Sequence, residues 1–314
     1  MRPATPTSLA APAGGVSDPR AAGRARSNVA RDVLSLFKLR IGVVIAVTAL
    51  AGVAVQPGHG PGALAVALLF VCVLAASASA GAFNQWWEAD LDRRMKRTRK
   101  RPFATGALRP HGGWLALMIG MTLLAGAAAW AATNAAAAIY TVAGALVYAV
   151  VYTVWLKRRT WWNIVIGGLA GSFAVLAGAA AVDPQLSLQA WLLTLVLFLW
   201  TPPHFWSLAI ACRDDYASAG VPMLPVVKGD RVTALAITAH AVLLAVLGIA
   251  LGVVSGSVLV ALLAAGGGGW FVLESLRLQW QPSRARAMRS FFASLLQLTL
   301  LLLGVMLEAA LSGS

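Results

Sequence analysis

The stretch NQWWEADLDRRMKRTRKRP, residues 84–102, holds three of the eleven acidic residues of the chain within five positions. Asn84, Glu88 and Asp92 are spaced by four, so a helix would place them on one face, with Asp90 off that face. Amide and carboxylate oxygens suit a hard divalent cation, and Mg²⁺ typically binds through one or two carboxylates together with substrate phosphates. The spacing therefore indicates a Mg²⁺ site, with Asn84, Glu88, Asp90 and Asp92 as candidate ligands.

A second acidic segment, RDDYASAGVPMLP, contains Asp214 and Asp215. If both segments lie on the same side of a membrane, they could converge over one cavity and bind one Mg²⁺–diphosphate complex, with Asp215 as the ligand from the second. The alternative is that the first cluster merely pairs at a solvated helix end with the bases that follow it, Arg93, Arg94, Lys96 and Arg97. The spacing alone does not decide between the two.

The bases near these acids have a matching chemical use. A diphosphate leaving group gains negative charge as its bond breaks, and positioned cations stabilise it. Arg97, Arg101, Lys157 and Arg158 are the candidates. Each base equally fits a purely topological role, in which positive loops are retained on the cytoplasmic side.

The elements that must position these residues are membrane-spanning helices. The chain is 59% hydrophobic and 11% charged, whereas a soluble domain is about a quarter charged. Its apolar runs are long enough to cross a hydrocarbon core of roughly 30 Å as helices. We predict an all-α polytopic membrane protein with nine spans. They lie near residues 41–56, 62–86, 113–132, 135–155, 162–182, 188–211, 232–253, 256–276 and 290–311.

The region before the first span is predicted in two parts. Residues 1–27 are rich in Ala, Pro, Gly, Ser and Arg, which predicts a disordered tail, and residues 28–314 form the transmembrane domain. From Val29 the pattern VARDVLSLFKLR predicts a short amphipathic helix at the membrane interface.

The charges orient the bundle. All 25 Lys and Arg fall in the N-terminal segment or in the loops after the second, fourth, sixth and eighth spans. The positive-inside rule then predicts a cytoplasmic N-terminus and an outside C-terminus, and the plasma (inner) membrane is the expected location. Because the bases lie in separate loops, the net charge of +14 does not indicate nucleic acid. Cys72 and Cys212 form no disulfide framework.

Four stretches resemble the UbiA superfamily of intramembrane prenyltransferases, and within it the branch that farnesylates haem. The resemblance covers about 33–311. The stretches are residues 84–102, YTVWLKRRTWWNIVIGG (152–168), TPPHFW (201–206) and DYASAGVPMLP (215–225). Departures from the pattern are SFAVLAGA at 172–179, Lys38-Leu39-Arg40 in place of Lys-Pro-Arg, and the lack of a plain DxxxD in the second acidic segment.

The resemblance implies nine helices around a central cavity, Mg²⁺ as cofactor, and transfer of a farnesyl group from farnesyl diphosphate to a vinyl group of haem B. Water adds in the reaction, and the products are haem O and diphosphate. The implied partners are these substrates, the lipid bilayer and a downstream haem A synthase, with no nucleic acid.

The resemblance also assigns roles to residues. The implied catalytic residues are Asp92, Asp215, Arg97 and His204. Diphosphate binding falls to Lys38, Arg40, Arg97, Arg101, Lys157 and Arg158. Haem or prenyl contacts fall to Tyr152, Asn163, His204, Phe205, Trp206 and Tyr216.

Alternatives remain open from the sequence. An ionisable residue within a span, such as His204, indicates function, by haem ligation or substrate contact. It could instead be a core histidine hydrogen-bonded near the break at Pro202 and Pro203. Rival protein classes are a UbiA-type enzyme with a quinone-type acceptor, and a transporter. The acids cluster at one face and no inverted repeat is visible, which disfavours a transporter.

Overall fold

The computed structural model describes residues 29–313, so the tail predicted over 1–27 lies outside the described residues. All regular elements of this part are helical, and nine of its helices are long and apolar enough to cross a membrane. They are α1 (Val29–Val55), α2 (Ala63–Trp87), α3 (Gly112–Ala132), α4 (Ala135–Leu156), α5 (Asn163–Val182), α6 (Leu188–Ala211), α7 (Leu224–Val254), α8 (Val258–Trp280) and α9 (Arg284–Ser312). The predicted nine-span all-α fold is confirmed.

Two helices begin earlier than the apolar runs suggested. Helix α9 starts at Arg284 rather than near 290, and α7 runs from Leu224, although the non-helical backbone of Gly229 (φ 81°, ψ 166°) divides it just before the predicted start near 232. The added turns carry basic residues, which a hydropathy criterion excludes although they are compatible with helix. Ser283 caps α9 by accepting a hydrogen bond from the backbone of Arg286, as expected of a serine at a helix N-terminus.

Several helices are interrupted at the end of the bundle that carries the acidic segments. Helix α1 is divided by a turn at residues 37–38, and Lys38 has a left-handed backbone with φ 45°. Helix α5 bends at Gly168, between Asn163–Gly167 and Leu169–Val182. Helix α4 changes from α-helix to a π-helix over Val147–Leu156. π-Helical turns are rare and often accompany functional sites.

Small residues bring the helices into close contact. A Cβ built on Gly178 of α5 would lie only 1.8 Å from the carbonyl oxygen of Ala49 in α1, and one on Gly52 would lie 2.2 Å from that of Val175. Such contact between backbones is how helices associate in lipid, where no hydrophobic force drives them together. Helices α6 to α9 share one apolar core, and α9 also packs against α1.

Candidate active site

Asn84, Glu88 and Asp92, called the stripe below, lie on one face as predicted, and they are buried. α2 ends at Trp87, and the short helix Ala89–Arg94 follows. The backbone hydrogen bonds Glu88 N to Asn84 O (3.1 Å) and Asp92 N to Glu88 O (2.8 Å) carry the i, i+4 spacing across this junction. The side chains of Asn84, Glu88 and Asp92 are therefore on one face, and all three are buried.

Asp90 is separated from this group. Its side chain is 79% exposed and pairs with Arg93 at 2.7 Å. The structure does not bring Asp90 to the other candidate metal ligands, because position 90 falls on the opposite side of the short helix from Glu88 and Asp92.

Each residue of the stripe contacts a basic side chain from elsewhere in the chain. Arg101 donates from one nitrogen to both carboxylate oxygens of Asp92, at 3.0 and 2.8 Å. Lys157, just after α4, pairs with Glu88. Lys38, at the turn in α1, donates to Asn84 Oδ1 at 2.9 Å. Three of the predicted diphosphate-binding bases thus surround the stripe.

Thr153 is a site residue that the sequence assignments missed. Its hydroxyl donates to the Tyr148 carbonyl (2.8 Å) and accepts from Asn84 Nδ2 (3.1 Å), which also donates to Glu88 (2.9 Å). A hydroxyl has only one hydrogen to donate. Because Thr153 donates this hydrogen to the Tyr148 carbonyl, its oxygen accepts from the Asn84 amide nitrogen. The Asn84 carbonyl oxygen is therefore directed away from Thr153, toward Lys38.

The two acidic segments meet, as the sequence suggested they could. The backbone N–H of Arg97 donates to Asp215 Oδ2 at 3.3 Å, and its guanidinium donates to the Tyr216 hydroxyl at 3.1 Å. Leu91 and Met95 from the first segment pack with Tyr216 in one apolar cluster. Asp214 is exposed, so Asp215 is the carboxylate of its segment that faces the other loop.

Burial affects the protonation of two groups here. It lowers the pKa of the Lys157 ammonium from its ordinary value, while the charge of Glu88 opposes that shift. It raises the pKa of the Tyr216 phenol. Tyr216 therefore stays a neutral hydroxyl that can accept a hydrogen bond from Arg97.

The donor set fits a hard divalent cation. Among residues 29–313, no three His, Cys, Asp or Glu side chains lie close enough together to hold a metal ion by themselves. Asn84, Glu88, Asp92 and Asp215 nevertheless offer only oxygen, the ligand that Mg²⁺ prefers. Glu88 Oε1 is buried without a hydrogen-bond partner in the described chain, so this oxygen is available to coordinate a metal ion.

Other predicted residues lie apart from the stripe or take local roles. Arg40 and Arg158 are exposed. Asn163 is fully buried, and its amide donates to the Thr160 carbonyl at 2.7 Å, which fixes the turn before α5. Tyr152 stacks on Tyr148, with ring centroids 5.6 Å apart and planes within 10°.

His204 is held in one orientation between α6 and α9. Its ring stacks on Trp200 and Phe291, at 4.3 Å from each, and Nδ1 lies 2.8 Å from Ser294 Oγ. The tautomer with the proton on Nδ1 satisfies both contacts, because Nδ1 then donates to Ser294 while the Ser294 hydroxyl donates to the Phe291 carbonyl at 2.7 Å. The lone pair of Nε2 is then available to a ligand.

Two aromatic neighbours of His204 take different positions. Trp206 is buried and meets His240 edge to face, whereas Phe205 is more than one-third exposed.

A separate apolar groove of about 240 Å³ lies between α5 and α6. Its lining includes Leu169, Phe173, Leu176, Trp191, Leu195 and Phe198.

The helical bundle is that of an integral membrane protein, and its buried carboxylates are flanked by basic side chains. The model of the UbiA prenyltransferase family matches residues 45–296. This chain belongs to that family.

Relatives and solved structures agree with this membership. The chain is 52% identical to protoheme IX farnesyltransferase 2 of Paramagnetospirillum magneticum over 89% of this chain and 97% of that protein. It is 41% identical to protoheme IX farnesyltransferase of Cereibacter sphaeroides over 82% of each.

The fold is similar to that of a digeranylgeranylglyceryl phosphate synthase, with TM-score 0.73 at 18% identity over 89% of this chain and 98% of that one. It is also similar to a UbiA homolog from Archaeoglobus fulgidus bound to DMAPP and Mg²⁺, with TM-score 0.67 at 13% identity over 85% and 98%. At these identities, the two solved structures show similarity of fold only.

Proposed function

We propose that this protein transfers the farnesyl group of farnesyl diphosphate to a vinyl group of haem B, with addition of water, and releases haem O and diphosphate. The observation that carries the transferase chemistry is the buried stripe Asn84–Glu88–Asp92 with basic side chains on each member. The choice of acceptor follows relatives at up to 52% identity that are named protoheme IX farnesyltransferase.

The diphosphate site combines a metal with exchangeable cations. Asn84, Glu88, Asp92 and Asp215 would hold Mg²⁺, which would neutralise the diphosphate and improve it as a leaving group. Lys38, Arg101 and Lys157 contact the stripe, and they would bind the diphosphate oxygens. Arg97 is placed for the same task beside Tyr216. The negative charge that develops on the leaving oxygen is stabilised by these cations.

The acceptor side requires protection of a cation. Breaking the bond between carbon and oxygen leaves an allylic cation, which the electrons of the haem vinyl group attack to form the new carbon–carbon bond. Lys38 lies over the Tyr148 ring and Lys157 over the Tyr152 ring, and these two stacked rings would shield that cation from water and stabilise it. His204, with its free Nε2, is proposed to bind the haem iron or contact the porphyrin.

The membrane placement follows from charge. We propose the plasma membrane as the location, with the N-terminus and the acidic site in the cytoplasm and the C-terminus outside. A haem A synthase would be the next enzyme to receive the apolar product. Reporter fusions at the two ends of the chain test the orientation, which is wrong if the N-terminal fusion reports the outside or the C-terminal fusion reports the cytoplasm.

The assay is direct. Purified protein is incubated with Mg²⁺, farnesyl diphosphate and haem B, and the haem is analysed by mass spectrometry for a farnesyl group plus water. Transfer to a quinone precursor with no change in haem would refute the acceptor while retaining the class of enzyme. Asp92→Ala and Asp215→Ala should each nearly abolish turnover, whereas Asp214→Ala, in the exposed neighbour, serves as the matched control. Activity in both of the first two variants would refute the metal site.

A further inference from the structure

Helix α9 presents a buried polar stripe to its neighbours, which the proposed site does not use. Ser290, Ser294 and Gln297 are each fully buried and share one helical face by their spacing. Ser290 lies 3.0 Å from the hydroxyl of Ser207, and Ser294 contacts His204. The first two positions of the stripe thus have partners on α6.

Gln297 has none. Within the part of the chain that the structure describes, neither its amide nitrogen nor its amide oxygen has a hydrogen-bond partner, and both atoms are buried. Leaving such an amide unpaired in an apolar interior costs several kcal/mol. A buried group of this kind therefore points to a small polar ligand that both donates and accepts.

Helix register places a second unpartnered group in line with the first. A Cβ built on Gly267 of α8 would lie 3.0 Å from Gln297 Cα. Because α8 and α9 form an antiparallel hairpin, Glu274 lies seven residues along α8 at the level of Ser290. Its carboxylate is 3% exposed, Oε1 accepts from Arg277 at 2.5 Å, and Oε2 is buried without a partner in residues 29–313.

The row of buried polar groups from Glu274 to Gln297 also reaches the surface of the protein. Arg277 is 43% exposed while it holds Glu274. From the level of Glu274, opposite Ser290, to Gln297 is two turns of α9, roughly 10 Å at 1.5 Å per residue. His204 lies along this distance. Because of this separation one small molecule cannot contact both groups, whereas several water molecules, each of which donates and accepts hydrogen bonds, can satisfy the carboxylate and the amide. An anion is excluded by the carboxylate.

We propose that α6, α8 and α9 enclose a water-binding site that runs from Glu274 to Gln297, and that this site supplies the water consumed in the reaction. The second clause rests on the proposed function. In that step a lone pair of the water oxygen forms the carbon–oxygen bond to the cation left on the former vinyl group. One O–H bond breaks, its electrons remain on oxygen, and the proton passes through the bound water to Oε2 of Glu274, which has no hydrogen-bond partner in residues 29–313.

The first test requires no activity. Purified wild-type protein is exposed to a radiolytic pulse in isotopically labelled water, so that side chains next to bound water incorporate labelled oxygen. Phe271 lies on the same face of α8 between Gly267 and Glu274 and is fully buried, and Phe103 is an equally buried phenylalanine in a separate apolar cluster. Phe271 should be labelled severalfold more than Phe103. Equal labelling of the two would overturn the water site.

The second test links the site to the product. Gln297→Met keeps the volume and removes the amide, and Leu301→Met, one turn farther on the same buried face, is the control. Gln297→Met should lose label at Phe271 and raise the share of farnesylated haem that has lost a proton instead of gaining water by about fivefold, the effect of one lost hydrogen bond. Leu301→Met should change neither.

An unchanged product ratio in Gln297→Met refutes the water supply while farnesylated haem still forms. Absence of any farnesylated haem from the wild type refutes the proposed function instead, and the labelling of Phe271 then decides the water site alone.

Discussion

Replacement of Thr153 by valine tests how the stripe is oriented. The change is nearly isosteric and removes the hydroxyl that accepts from the Asn84 amide at 3.1 Å. One buried N–H loses its partner, which costs about 1–3 kcal/mol. Glu88 still accepts from the same amide nitrogen, so the side chain stays near its place but can turn its carbonyl oxygen away from the metal. We expect the Mg²⁺ concentration for half-maximal activity to rise by roughly 5- to 150-fold, with the maximal rate largely recovered at saturating Mg²⁺.

The measurement is a Mg²⁺ titration of turnover at saturating prenyl diphosphate. Thr153→Ser keeps the hydroxyl and should restore the wild-type midpoint. Thr141→Val is the matched control, because Thr141 is also buried on α4 but its hydroxyl only bonds the Ala137 carbonyl. If Thr153→Val and Thr141→Val shift the midpoint equally, or neither shifts it, Thr153 does not orient the amide.

Three further predictions follow from the geometry. Arg101→Lys keeps a positive charge but loses the guanidinium that contacts both oxygens of Asp92, and kcat/KM should fall roughly 10- to 150-fold; a change below twofold contradicts this. Asp90→Asn removes only an exposed ion pair, worth about 0–1 kcal/mol, so activity and Tm should stay close to wild type, and a large loss would return Asp90 to the site. Gly178→Ala forces a methyl group into the Ala49 carbonyl and should cost at least about 1–3 kcal/mol of stability, measured as a lower Tm, whereas Gly171→Ala, open on the same helix, should be tolerated.

Local periodicity was sufficient to predict the stripe. The spacing of Asn84, Glu88 and Asp92 placed them on one face, and it set Asp90 apart, as the structure shows. The prediction succeeded because the backbone hydrogen bonds of a helix persist across the junction at Glu88, so helical geometry alone fixes the relative directions of these side chains.

The partners of the stripe could not be predicted in the same way. The alternative paired the acids with Arg93, Arg94, Lys96 and Arg97, and among the ion pairs of residues 29–313 this holds for exposed Asp90, with Arg93. Asp92 pairs instead with Arg101, nine residues along the chain. Lys157 and Lys38 approach from more than forty residues away, and such contacts depend on how α1, α2 and α4 pack. Thr153 was missed for a further reason: a π-helix redirects its side chain, and a period of 3.6 residues does not anticipate that turn.

The contacts around the stripe also fasten the bundle at one end. Lys38 joins α1 to α2, Lys157 joins α4 to α2, and Arg97 joins the loop after α2 to the one after α6. Under the proposed function, the side chains of these residues turn from their present partners to the diphosphate. Ligand binding and separation of the helices at this end are therefore linked equilibria. A ligand that draws the bases from the carboxylates removes the free energy that these contacts between four helices contributed to the ligand-free protein.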